Sequence, residues 1–290
     1  MRRLDVLAFI ALIVVALLGG LFERGGAPAD PNPRRPPPVE RPGPQRSDRL
    51  APLPGPSPLD PSFTVQVERT GPGSGTAFSI DGGGRWLTAR HVVEGCAEVV
   101  IQIGPRRGAL VTGVAHHPNA DLSVLATRGG TPALAVSTAP LFRAQDGFHF
   151  GFPKGEPGAV HAILLGRQIM RVSGRYSTVE PVIAWAHRRR VPDFGPDLSG
   201  MSGGPVVDER GALIGAVVAG APRRGRSFSA APESLRVALA QAAVAVASQG
   251  GRVIGEENFS TYAEELRSRL SVAKVICRVE VIGRRRTPGA

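Results

Sequence analysis

The sequence predicts an all-β domain between residues 63 and 232. Apolar stretches of four to seven residues recur there, are rich in β-branched residues and are broken by Gly, Pro, Asn and Asp. The 37 Gly and 27 Pro of the 290 residues provide abundant turns. Short strands at this spacing are typical of sandwiches and barrels. The predicted strands are Phe63–Val67, Gly75–Ile80, Val99–Ile103, Ala109–Val114, Leu122–Leu125, Gly147–Phe150, Ala159–Leu165, Gly204–Val207 and Ala212–Val218.

An apolar run stands near the N-terminus. Residues 6–22 are all apolar or Gly, and at about 1.5 Å per residue they nearly cross a hydrocarbon core of about 30 Å. Arg2 and Arg3 precede the run, which favours a cytoplasmic N-terminus. We therefore expect residues 1–24 to form a single-pass signal anchor in the cell inner membrane, with the rest periplasmic. A cleaved signal peptide and a secreted product is the alternative, because Ala27–Ala29 resembles a cleavage site.

Residues 25–61 are predicted to be a disordered linker. Thirteen of the prolines lie in residues 28–61, where large apolar side chains are almost absent. Such a segment buries too little surface to offset its ordering entropy. We expect an extended stalk, partly in the polyproline II conformation.

Residues 233–290 are predicted to be a small α+β extension. Glu233–Ser248 has apolar residues at helical spacing, and a second helix is expected to start near Ser260, where Thr261 and Glu264 fit a capping box. Val272–Ile282 alternates like a final strand.

Charge and cysteine content exclude some classes of function. The net charge of +11 comes almost wholly from arginine, but the runs at 34–35, 188–190 and 284–286 lie far apart and no nucleic-acid motif accompanies them. We therefore expect no nucleic-acid partner. Cys96 and Cys277 are too few for a zinc site without histidine, so we expect no metal and no cofactor. They are either two buried thiols or, in an oxidising compartment, one disulfide.

The segment Gly200–Pro205 contains a serine between glycines. A chain that turns tightly there leaves the Ser202 hydroxyl exposed, and the N–H groups of Gly200 and Ser202 could together bind an oxyanion. By itself, the segment could equally be a plain glycine-rich turn.

Two further residues could activate that serine. His91 follows the end of an apolar strand, and an imidazole can remove a hydroxyl proton near neutral pH. Asp121 stands just before a strand, where it could orient the imidazole and stabilise its protonated form. Taken singly, each is more commonly a loop or cap residue.

Together these segments resemble the trypsin-like (chymotrypsin-fold) serine peptidases, specifically their compact bacterial HtrA-like branch. Gly73–Phe78 matches the pattern Gly-x-Gly-Thr-x-Phe, and Leu87–Val93 matches Leu-Thr-x-x-His-Val-Val. Asp121–Leu125 matches Asp-Leu-x-Val-Leu, and Gly200–Gly215 matches Gly-x-Ser-Gly-Gly-Pro-Val followed by Asp-x-x-Gly-x-Leu-Ile-Gly. The chain order His, Asp, Ser is not that of the subtilisins or the α/β-hydrolases.

The resemblance implies two six-stranded antiparallel β-barrels, the first at about residues 62–130 and the second at about 131–232. It implies a triad of His91, Asp121 and Ser202 in the cleft between them, with the Gly200 and Ser202 amides as the oxyanion hole. The implied activity is hydrolysis of peptide bonds in proteins or peptides through an acyl-enzyme.

The sequence departs from the digestive members at two positions. Met201 stands where they carry an acidic residue that pairs with a new N-terminus, so we expect no activation by N-terminal cleavage. Pro196 stands where trypsin carries its selector aspartate. The expected pocket wall, formed by Pro196, Val217, Val218 and Ala219, indicates small or apolar side chains before the cut. The 58 residues after Pro232 are too few for a PDZ domain.

A membrane-tethered endopeptidase that cleaves extracytoplasmic proteins is therefore the leading hypothesis. The alternative is a catalytically idle peptidase fold that acts as a binding module at the cell envelope. The oligomeric state stays open.

Overall fold

The computed structural model describes residues 51–68, 70–244 and 252–280. Helices α1, α2 and α3 span Arg90–Val93, Pro232–Gln241 and Phe259–Ser268. Strands β1 to β13 are, in chain order, Ser62–Val67, Gly73–Ser79, Arg85–Ala89, Glu98–Gly104, Arg107–His116, Leu122–Thr127, Asp146–Gly151, Gly158–Gly174, Thr178–Val191, Pro205–Val207, Leu213–Ala221, Arg226–Ala230 and Val272–Arg278.

Barrel one is a closed, antiparallel sheet of six strands in the order β13-β2-β3-β6-β5-β4, with β4 pairing back to β13. Its strands contribute the side chains of one buried apolar cluster, which includes Trp86, Ile101, Leu125 and Val275. The mostly β, chymotrypsin-like architecture with a closed six-stranded barrel is as predicted.

Barrel two is a second circuit of six strands. The sheet order β8-β7-β10-β11-β12-β9 is closed by the antiparallel pairing of β8 with β9. Trp185, Val206 and Leu164 lie in its interior. A larger apolar cluster contains residues of both barrels, among them Phe78 and Phe148, so the two barrels pack on each other.

The first and last strands, β1 and β13, do not lie where they were predicted. β1, expected to open barrel one, instead runs parallel to the second half of β8, from the pair Ser62 and Ile169 to the pair Val67 and Gly174. β13, expected in an extension, is the sixth strand of barrel one between β2 and β4. Burial explains why β13 and not β1 completes barrel one. Almost every apolar side chain of β13 is buried, whereas β1 is alternately exposed and half-buried. Residues 252–280 are therefore part of the peptidase-like fold.

Parts of the predicted linker and helices also differ. Residues 51–61 were expected to be disordered, but Pro52 forms a bridge with Phe142, and the Leu53 N–H donates to the Leu141 carbonyl at 2.7 Å. These backbone partners order the segment, and the rest of the linker lies outside the described residues. The capping box is wrong, because the cap position of α3 is Asn258.

Two element ends and the omitted strands also differ from the prediction. Helix α2 ends at Gln241, before the predicted Ser248, and residues 245–248 lie outside the described residues, as do residues 281 and 282 of the predicted last strand. The list of predicted strands omitted β9 and β12, and β3 was indicated only as the strand end that precedes His91. Three consecutive arginines in β9 and the short Arg226–Ala230 alternation concealed β9 and β12.

Cys96 and Cys277 form a disulfide with a Cα–Cα distance of 5.4 Å, the second of the two alternatives that the sequence left open. The bridge ties the segment that follows α1 to β13. Within the described part of the chain, no helix is long and apolar enough to cross a bilayer. The apolar run at residues 6–22 lies outside that part.

Candidate active site

The structure brings His91 and Asp121 together. His91 lies in α1 directly after β3, and Asp121 directly precedes β6, the neighbour of β3 in barrel one. The His91 backbone N–H donates to Asp121 Oδ1 at 2.9 Å, and His91 Nδ1 lies 2.7 Å from Asp121 Oδ2. A proton on Nδ1 satisfies the carboxylate and leaves Nε2 as an acceptor.

Burial and charge act in opposite directions on His91. Burial disfavours the imidazolium, but the charge and hydrogen bond of Asp121 outweigh it, so the pKa of His91 lies above its ordinary value. Arg175 weakly opposes the increase. With only 2% of its surface exposed, Asp121 is poorly screened by water. The pair is therefore suited to a base that must hold a proton briefly.

The turn between β8 and β9 and the start of β9 supply further partners from barrel two. The Tyr176 hydroxyl donates to Asp121 Oδ1 at 2.5 Å, and Glu180 Oε1 accepts the Asp121 backbone N–H at 2.7 Å. Arg175 Nη2 donates to the His91 carbonyl at 3.3 Å. These three residues lie outside every motif, so the sequence carried no local signal for them.

Glu180 is a buried acid next to a buried carboxylate. Burial, and then the nearby charge of Asp121, raise the pKa of Glu180 well above its ordinary value. Burial thus favours the neutral form of Glu180 beside the Asp121 carboxylate.

The Ser202 loop packs against the end of β3. A Cβ on Gly203 would lie 2.2 Å from the Thr76 carbonyl oxygen and 2.7 Å from the Ala89 nitrogen, so only glycine fits at this position, which also has a φ of +83°. The Ser202 carbonyl accepts the Thr76 N–H at 2.8 Å. The Ser202 loop therefore contacts Ala89, which stands two residues before His91 in the chain.

The Ser202 hydroxyl is half-buried and has no hydrogen-bond partner among the described residues, His91 included. In peptidases without substrate, this hydrogen bond is often long and shortens only in the Michaelis complex.

The two amides predicted to form an oxyanion hole are free. Neither the Gly200 N–H nor the Ser202 N–H has an acceptor among the described residues. The carbonyl of each of the two peptides is occupied instead, with Ser199 O bound by the Lys154 N–H at 2.5 Å and Met201 O bound by the Gly204 N–H at 2.8 Å. Because C=O and N–H point in opposite directions in a trans peptide, both N–H groups are turned away from these partners.

The four residues of the expected pocket wall differ in exposure. Pro196 is exposed, whereas Val217 and Val218 are buried in two apolar clusters, so their side chains do not face solvent. Ala219 stays partly open. Leu198, which the prediction omitted, is buried 3.5 Å from the position of a Cβ on Gly220. Met201 is buried.

The described residues contain no cluster of three or more His, Cys, Asp or Glu side chains that could hold a metal ion. His149 and His187, which showed no relationship in the sequence, lie with their ring centres 6.4 Å apart in barrel two. Desolvation by burial lowers the pKa of His149 far below its ordinary value, and it lowers the pKa of His187 to about 4.

Comparison with known proteins gives one family and several similar structures. Residues 73–215 match the family model described as the trypsin-like peptidase domain. An uncharacterised protein of Sinorhizobium fredii, y4bJ, is 29% identical over 168 residues, which are 56% of this chain and 25% of that protein. The chain thus spans about a quarter of the length of this relative.

Two solved proteases illustrate the structural similarity. The Rv3671c protease from M. tuberculosis in its active form is 23% identical, with a TM-score of 0.49 over 62% of this chain and 78% of that one. The HtrA-type protease AlgW with a decapeptide is 22% identical, with a TM-score of 0.45 over 57% of this chain and 50% of that one.

Proposed function

We propose that this chain, whose residues 73–215 match the trypsin-like peptidase domain, is a serine endopeptidase with a triad of His91, Asp121 and Ser202. One observation carries the proposal. The Ser202 loop, with the free amides of Gly200 and Ser202, packs at the end of β3, where α1 presents His91 bound to Asp121.

The proposed chemistry is acyl transfer. Ser202 Oγ attacks the carbonyl carbon of a peptide bond while His91 Nε2 takes the hydroxyl proton. The carbonyl oxygen becomes an oxyanion that accepts hydrogen bonds from the two free amides. The C–N bond then breaks as His91 protonates the leaving amine, and water repeats the sequence to release the acid and restore Ser202. Asp121 stays ionised throughout and stabilises the imidazolium.

The proposed substrates are extracytoplasmic proteins. Support comes from the apolar run at residues 6–22 behind Arg2 and Arg3, and from the Cys96–Cys277 disulfide, because such bonds persist in oxidising compartments. The proposal places the chain in the cell inner membrane with its peptidase domain in the periplasm.

Hydrolysis of unfolded β-casein by the purified full chain tests the activity. We expect fragments from the wild type and from Ser268→Ala, a control serine on the exposed face of α3, but none from Ser202→Ala. Binding of casein without cleavage by folded wild type would instead favour the idle binding module.

Fractionation of bacterial cells tests the location. The full chain should stay in the membrane after alkaline carbonate extraction and be digested by protease added to spheroplasts. Deletion of residues 6–22 should abolish membrane retention. A soluble product that begins after residue 29 would instead support the cleaved signal peptide.

A further inference from the structure

The Gly200 amide can serve an oxyanion only while the Ser199–Gly200 peptide keeps its orientation. The 2.5 Å hydrogen bond from the Lys154 N–H to Ser199 O fixes that orientation. Gly200 has a φ of +93°, and a Cβ there would lie 2.3 Å from the Phe152 carbonyl oxygen. The oxyanion donor therefore rests directly on the turn formed by residues 152–155.

This turn has an unfavourable backbone conformation. Lys154 has a φ of +53°, in the left-handed region that residues other than Gly rarely adopt, and Gly155 follows with a φ of +85°. Such conformations persist only where surrounding contacts hold them. The position of the Lys154 N–H thus depends on what secures the turn.

Two neighbouring side chains of barrel one secure it. Thr76 on β2 and Lys274 on β13 are opposite each other in the sheet register. Thr76 Oγ1 accepts the Phe152 N–H at 3.1 Å and donates to Gly200 O at 2.7 Å. Lys274 Nζ donates to Gly155 O at 3.0 Å. The two ends of the turn are therefore held from the same place in barrel one, by a pair that we call the Thr76–Lys274 clamp.

We propose that Lys274 is a positioning residue of the oxyanion hole. Its ammonium group holds Gly155 O, which keeps the Lys154 N–H on Ser199 O and the Gly200 N–H directed at the oxyanion. The proposal rests on the proposed peptidase function. It assigns to β13 a role in a site whose donors belong to barrel two. The two lysines of the chain both take part, Lys154 through its backbone N–H and Lys274 through its side chain.

Three variants of the full chain test the proposal. Lys274→Met keeps the aliphatic stem but removes the donor, and Lys274→Arg keeps a charged donor. Arg278→Met, on the same strand, removes an exposed ion pair with Glu98 and serves as the matched control. Thermal unfolding first establishes that each variant is folded.

Amide hydrogen exchange and peptide hydrolysis are then measured. Complete loss of an oxyanion donor lowers kcat by about 10²–10³-fold. In Lys274→Met the Gly200 N–H is misdirected for only part of the time, so we expect kcat to fall roughly tenfold and KM to stay within about twofold. In Lys274→Met the Lys154 amide should also lose about tenfold of its protection against exchange. Lys274→Arg should restore most of both, and Arg278→Met should change neither.

Unchanged protection of the Lys154 amide in Lys274→Met would overturn the proposal, whatever the activity. So would equal losses in Lys274→Met and Arg278→Met, or a loss confined to KM. A wild type that cleaves nothing would overturn the peptidase function instead, and the exchange measurement would still decide whether Lys274 holds the turn.

Discussion

The Tyr176 hydroxyl lies 2.5 Å from Asp121 Oδ1 and so joins the β8–β9 turn of barrel two to the buried carboxylate of barrel one. Asp121 Oδ1 also accepts the His91 backbone N–H, and Oδ2 faces His91 Nδ1. Both carboxylate oxygens of Asp121 thus have hydrogen-bond partners, and one of these partners, Tyr176, belongs to barrel two. The relative placement of the barrels therefore bears on the charge that His91 experiences.

Tyr176→Phe removes this donor and should leave a more concentrated negative charge beside His91. We expect the pKa of His91 to rise further, so the acidic limb of kcat/KM against pH moves to higher pH. Hydrogen bonds to charged groups contribute about 1.5–3 kcal/mol, so a loss of roughly tenfold in kcat/KM is expected. Tyr262→Phe, at the other tyrosine of the chain, is the control. An unchanged pH profile for Tyr176→Phe would refute this role.

Glu180→Gln should preserve stability at neutral pH, because the amide oxygen can accept the Asp121 N–H as the Glu180 carboxyl oxygen does. Glu180→Ala should cost about 1–3 kcal/mol, since it leaves that N–H buried without an acceptor. Urea unfolding measures the difference. Equal losses in both variants would contradict a neutral Glu180.

The raised pKa of Glu180 also has a pH signature. The folded state retains a proton that the unfolded state releases above pH 4.5, so this group's contribution to stability declines as pH rises from there through the folded pKa. Glu180→Gln should lack that decline. A parallel pH dependence in the wild type and Glu180→Gln would show that Glu180 does not titrate as described.

His149 and His187 should make barrel two sensitive to acid. Both have pKa values lowered by burial, that of His187 to about 4, so the unfolded state binds protons first as pH falls below 6.5. Stability should therefore fall between pH 6.5 and 4, on the order of 2 kcal/mol for His187 after allowance for its partial exposure. Urea titrations followed by the fluorescence of Trp185, which contacts His149, measure it. His187→Gln should flatten the slope, whereas a slope that persists unchanged would contradict the assignment.

Reduction of the Cys96–Cys277 disulfide should lower stability. The bridge spans 181 positions, and bonds that close long loops typically contribute about 2–4 kcal/mol. Calorimetry with and without a phosphine reductant measures the change, and the Cys96→Ala/Cys277→Ala variant should behave like the reduced protein. An unchanged unfolding temperature, with free thiols shown by mass, would contradict it.

The sequence allowed prediction of what local patterns encode. Every strand predicted between residues 63 and 232 is present, because a short apolar stretch bounded by turn residues is visible in a few consecutive residues. Likewise, the neighbourhoods of His91, Asp121 and Ser202 each carry a short motif, and the fold brings the first two into hydrogen bonds.

Long-range pairings were not predictable in this way. Nothing in Val272–Arg278 indicates that it pairs with β2 and β4, since strand pairing across almost 200 positions leaves no local signal. Tyr176, Glu180 and Lys274 were missed for the same reason. Each acts on a residue of the other barrel or of a distant loop, and only the packed structure reveals the contact.

In the proposed mechanism, Ser202 is a nucleophile activated by His91. Labelling of the folded full chain with a fluorophosphonate probe, followed by peptide mass mapping, tests it most directly. We expect one adduct, located on Ser202, that forms in the wild type, is absent from Ser202→Ala and is strongly slowed in His91→Ala. An unlabelled wild type, or an adduct that persists in Ser202→Ala, would contradict it.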